Sequence, residues 1–118
     1  MHEGTKAVKI NKLQQLTTRF ESIRMSEDES FYEFYAKLND IVNSAYNLGE
    51  IYDQHKIVRK ILRSLTKNFR PKVTAITETK DVDSIPVDEL VGSLQSYELD
   101  LRLVNLNQWL LNLLMMLM

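Results

Sequence analysis

The stretch SFYEFYAKLNDIVNSAYNLG, residues 30–49, decides the fold. Phe31, Phe34, Tyr35, Leu38, Ile41, Val42, Ala45 and Leu48 recur at i, i+3, i+4 spacing, which places them on one face of a helix. Ser30 followed three residues later by Glu33 is the pattern of a capping box, and Gly49 suits the position just past a helix C-terminus. Ser26 with Glu29 is a second candidate cap, but the apolar stripe starts straight after Ser30.

Upstream, a basic helix is expected over about residues 5–24, with Leu13, Leu16, Phe20 and Ile23 on one stripe. Downstream, Asp53 is a good N-cap for a third helix ending near Leu65, with Ile57, Val58, Ile61, Leu62 and Leu65 on its buried side. Pro71 suits the first turn of a shorter fourth helix carrying Val73 and Ile76. The Thr-rich run at 74–79 has strand propensity, yet a lone strand has no partner, so it is assigned to that helix. Residues 80–86 read as a loop. A fifth helix follows from near Pro86, with Val87, Leu90, Val91, Leu94, Tyr97 and Leu101 on its stripe.

The whole chain supports an all-α fold, a small bundle of about five helices. Its 118 residues suit one domain with a modest core, and 44% hydrophobic against 26% charged residues argues against disorder. Three glycines and two prolines favour long helices over a turn-rich β architecture. With no cysteine there are no disulfides, thiolate zinc sites or Cys nucleophiles, which is compatible with an intracellular, cytoplasmic location.

The start has no apolar core of a secretory signal. Residues 103–118 form an uncharged apolar tail, distinct from the helical domain at 1–102. They are fewer than the roughly 20 residues that span a bilayer, so membrane insertion is not the expectation. Val104, Trp109, Leu110, Leu113, Leu114 and Leu117 fit a helical template there, though nearly every other position is apolar too. The tail reads as out-of-frame sequence, as a buried extension of the fifth helix, or as a membrane-seeking end, and any of these leaves apolar surface that invites association.

Charge is sorted along the chain: net +3 over residues 1–24, −6 over 25–55, +7 over 56–72 and −5 over 73–118. Lys56, Arg59, Lys60, Arg63 and Lys67 share a helical face, and Arg70 and Lys72 continue the run without an acidic residue. Two readings stay open. One is a phosphate-binding stripe for RNA or DNA built from these seven residues. The other is a solvated face that pairs with the acidic second helix or a neighbouring subunit, favoured because no aromatics are interleaved for base stacking.

Nothing points to catalysis or to a cofactor. His2 falls at an expected frayed terminus and His55 in a first helical turn, where neither has metal-ligating companions. Neighbouring acids such as Asp28 with Glu29 and Asp88 with Glu89 suit helix starts, where they meet the helix dipole. No phosphate loop or nucleophile elbow is present, and no small-molecule substrate is expected. The aromatics Phe20, Phe31, Tyr32, Phe34, Tyr35 and Tyr46 are expected mainly in the core, with Tyr32 and Tyr46 off the main stripe as partner-facing candidates alongside Trp109.

Four phrases in order carry a resemblance: FESIRM at 20–25, YAKLNDIVNSAYNLG at 35–49, KILRSL at 60–65 and DELVGSLQSYE at 88–98. Together they closely resemble the gag polypeptide of copia-type LTR retrotransposons, especially those of plants, over about residues 3–98. The resemblance implies a capsid-like helical domain that assembles with copies of itself into particles packaging the element's RNA. Three departures accompany it. A further helix usual before the EGT phrase at 3–5 lies outside this chain, and Thr66 stands where proline is usual. The Cys-Cys-His-Cys zinc knuckle that usually follows is replaced by NLNQWLLNLLMMLM at 105–118, so zinc-dependent RNA binding is not carried over.

Overall fold

A computed structural model describes the chain from residue 2, with side chains from residue 5 onward. The helices are α1 (His2–Ser22), α2 (Phe31–Asn47), α3 (Gln54–Ser64), α4 (Arg70–Thr79) and α5 (Val87–Leu117), with single 3₁₀ turns at Lys67–Phe69 and Val82–Ser84. Among the described residues there is no strand, and the Thr-rich run is helical within α4. His2 opens α1, and its side chain lies outside the described residues.

The start of α2 follows from two reciprocal bonds. Glu33 N–H donates to the Ser30 hydroxyl at 3.1 Å, and Ser30 N–H donates to the Glu33 carboxylate at 3.0 Å. At its other end Gly49 adopts φ +92°, a conformation that strains residues with a Cβ. Gly49 N–H then bonds Tyr46 C=O and Glu50 N–H bonds Ala45 C=O, both at 2.9 Å, closing a Schellman motif.

The same bonds make α2 acid-sensitive. Ser30 bonding holds the Glu33 carboxyl below 4.5, its ordinary value, so this contribution is complete above that value and is lost as pH falls through and below it. Ser30→Ala is expected to cost about 1 kcal/mol near neutrality and to flatten the acid limb of a stability–pH profile. An unchanged acid limb would show that the box contributes nothing to it.

α2 is the axle of the core. Phe31, Phe34, Leu38, Ile41 and Ala45 are buried, meeting Leu16 and Phe20 of α1, Val58 and Ile61 of α3, and Leu90 and Leu94 of α5. Phe31 lies at the centre of an aromatic chain: its ring centroid is 6.2 Å from Phe34, 6.1 Å from Tyr35 and 6.3 Å from Phe69, which itself lies 5.6 Å from Tyr97.

Several expectations change in detail. Asp53 precedes α3 in extended geometry but makes no side-chain cap bond, its carboxylate lying 3.9 Å from the exposed His55. Ile57, Leu62 and Leu65 are only half-buried. The 80–86 loop contains the 3₁₀ turn at Val82–Ser84, and its Ile85 plugs into the core. α5 runs unbroken through residue 102 to Leu117, so the apolar tail is an extension of α5 but not a buried one: every residue from 102 onward is exposed.

That projecting helix sets the shape. The radius of gyration is 18.9 Å and the long axis 75 Å, whereas a compact chain of this length would have a radius of about 13–14 Å. No described helix is long and apolar enough to cross a membrane.

Candidate functional site

Two helix C-termini meet where α1 and α3 pack, and their dangling carbonyls are satisfied reciprocally. Lys60 Nζ donates to Glu21 C=O at 2.8 Å, and the Ser64 hydroxyl donates to Ile23 C=O at 3.3 Å. In return Arg24 donates to Arg63 C=O at 3.0 Å and Met25 N–H to Ser64 C=O at 2.9 Å. Cations belong there, because both helix dipoles point their negative ends at this spot.

This arrangement corrects the expected basic face. Lys60 is 3% exposed, so it leaves the solvent-facing stripe and becomes internal. Burial first, then the nearby Arg24 and Arg63, holds its ammonium below the ordinary value of 10.5. The α3 spacing concealed this, since α1 extends the buried arc one residue past the apolar stripe.

The other six candidates are exposed or half-buried. Lys56 Nζ lies 4.7 Å from the ring centre of Tyr52 and 5.5 Å from that of Phe20, two rings stacked at 4.5 Å. Arg59 pairs with Asp83 of the loop after α4. Arg63, Lys67, Arg70 and Lys72 have no side-chain ion pair or hydrogen bond among the described residues. Leu62 separates two adjoining depressions, one lined by Lys56, Arg59 and Arg63, the other by Lys67 and Arg70. Lys56, Arg59, Arg63, Lys67 and Arg70 therefore line adjoining stretches of surface on either side of Leu62. Among the described residues they do not pair with α2, whose Asp40 lies 3.8 Å from Arg19 of α1 and whose Glu33 accepts the Ser30 N–H.

The second candidate surface lies on the far side of α2. Tyr32 and Tyr46 are 67% and 63% exposed, and the exposed residues between them on that face are Ala36, Asn39 and Asn43. The stripe is uncharged and about 21 Å long. Trp109, the third candidate, is exposed on the projecting half of α5, far along the chain from the tyrosines.

Tyr52 escaped the sequence reading. It sits outside any periodic stripe, and only the aromatic at Phe20 with a cation four residues after Tyr52 hinted at its stacked, buried role. Among the described residues no group of three or more His, Cys, Asp or Glu is placed to hold a metal ion.

The family model for the gag-polypeptide of LTR copia-type matches residues 1–106. The chain belongs to that family. Neither curated proteins nor solved structures gave a match. A copia-type gag polypeptide is a structural component of the element, and the phrases that carried the resemblance now have physical roles here. KILRSL supplies Lys60 and Ser64 to the α1–α3 junction. DELVGSLQSYE ends in Glu98, whose carboxylate accepts the Phe31 N–H at 2.8 Å and so caps α2 from α5. The final glycine of the α2 phrase is the positive-φ Gly49. In this gag chain the phrases join the helices to one another.

Proposed function

We propose that this chain acts as a non-enzymatic structural gag unit inside the cell, in the cytoplasm, where it associates with copies of itself through exposed helix faces. The observation that carries the reading is the α2 stripe from Tyr32 to Tyr46, two exposed aromatics bracketing small and amide side chains without a charge. Such a stripe meets its own copy without like-charge repulsion, and tyrosine is enriched at interface cores. The test is light scattering of the full chain over a broad concentration range. Tyr32→Ala with Tyr46→Ala is expected to weaken association by about tenfold or more while leaving stability within about 0.5 kcal/mol. A monomer at every concentration would overturn the reading.

One observation favours a second role. Among the described residues Arg63, Lys67, Arg70 and Lys72 have no ion pair, and the first three line adjoining stretches of surface, as a phosphate-contacting patch requires. Binding of single-stranded RNA, followed by fluorescence anisotropy, should then weaken with salt at a slope of about −3 in log K against log salt for four contacts. Glutamine at all four positions should abolish that slope with little change in stability. Absence of binding at low salt would eliminate this role.

A further inference from the structure

α5 changes its apolar side midway. Up to residue 101, Val87, Val91, Leu94 and Leu101 turn toward the bundle and are buried or half-buried. The same line continues past the bundle as Asn105, Gln108 and Asn112, with Gln108 Nε2 donating to Asn112 Oδ1 at 3.3 Å. On the opposite side a new line begins: Leu99, Leu103, Leu106, Leu110, Leu113 and Leu117. Their spacings of 4, 3, 4, 3 and 4 are those of alternating d and a positions of a heptad, and all six are 40–77% exposed. Taken over its full length the helix looks apolar on every side, partly because its two halves face opposite ways and partly because Val104, Trp109, Leu111, Leu114, Met115 and Met116 lie off the line.

We propose that this leucine line is a coiled-coil seam that pairs with the same line of a second copy of the chain. This deepens the self-association reading, on which it rests for the identity of the partner, and moves the principal interface from α2 to α5. Three observations select a second copy over a lipid surface. The repeat is 3.5 residues, the period at which a helix keeps one seam against a supercoiled partner. None of the four polar residues between 103 and 118 falls at a or d: Asn105 and Asn112 are at c, Gln108 at f and Asn107 at e. The four polar residues of this stretch are all uncharged amides, whereas a helix lying on a membrane presents lysine and arginine on its polar side.

Size and charge agree. The seam is about 27 Å long. With Trp109, Leu114 and Met116 beside it, each chain offers on the order of 500 Å², so two copies bury about 1,000 Å², where specific interfaces begin. Between residues 103 and 118 there is no charge to oppose pairing.

The experiment uses the full chain with two double variants. Leu106→Glu with Leu113→Glu places charge in the seam; Leu111→Glu with Met115→Glu places the same charge at b and f, off the seam. All four positions are exposed, so circular dichroism should report an unchanged fold. In sedimentation velocity over a broad concentration range, the wild-type chain and the off-seam variant are expected to form one discrete oligomer, with the seam variant weakened about 100-fold or more.

Equal weakening by both variants would mean unspecific greasy association and overturn the proposal. So would flotation of the wild-type chain on phosphatidylcholine vesicles with no discrete oligomer in their absence. If the seam variant still associates while the Tyr32→Ala, Tyr46→Ala variant does not, the seam is overturned and the α2 reading survives. The reverse outcome supports the seam and ends the α2 reading.

Discussion

Phe31→Ala is expected to remove about 3–5 kcal/mol of the roughly 5–15 kcal/mol that holds a domain of this size together. The ring has no exposed surface, and neighbours in α2, the turn after α3 and α5 close around it, so a cavity there has little means of collapse. Its backbone N–H is also the donor held by Glu98, so loosening the ring frees the bond that fastens α5 to the start of α2. Urea denaturation measures the effect. The control is adjacent: Tyr32→Ala removes an equally large aromatic, 67% exposed, and should cost no more than about 0.5 kcal/mol. A loss below about 1 kcal/mol at Phe31 would mean that the aromatic chain is not the core's centre.

α2 was fully legible because its local and tertiary signals agree. The capping box, the apolar stripe and the closing glycine all mark the same segment, and the bundle buries the face the spacing nominates. α3 was legible as a helix but not as a surface. Its cations share a face by spacing, yet whether a face is wet depends on what packs beside it, and a distant segment, the C-terminus of α1, covers Lys60. Phe69 and Ile85 were invisible for a related reason. Each lies in or beside a single turn, where there is no period to read, and only the closing of the loops brings them inside.

α5 shows the opposite failure. Its stripe up to Leu101 and its apolar tail were both recognised, but read as one continuous helix the two halves blur into general hydrophobicity. The boundary becomes visible only when the structure shows where the bundle stops covering the helix. The amide line then identifies the side left toward water, and the leucine line the side left for a partner.

Lys60 gives the second large effect, and its sign depends on what replaces it. Lys60→Ala removes the side-chain stem from a closed interface and leaves the Glu21 carbonyl without its donor, which is expected to cost about 2–4 kcal/mol. Lys60→Met keeps most of the stem and removes an ammonium that is costly to hold out of water, so it should cost about 0–2 kcal/mol despite losing the same bond. A pH series separates charge from packing. Because the folded chain holds this proton more weakly than the unfolded one, stability contributed at Lys60 is lowest where both states are protonated and grows as pH climbs through the depressed value toward 10.5. The difference between wild type and Lys60→Met in denaturation free energy should therefore shift in favour of wild type as pH rises, while the tyrosines, common to both, cancel. A difference that stays flat with pH would show that the Lys60 ammonium is as well solvated in the fold as in the unfolded chain, the Glu21 carbonyl and the helix ends making good the water it gives up.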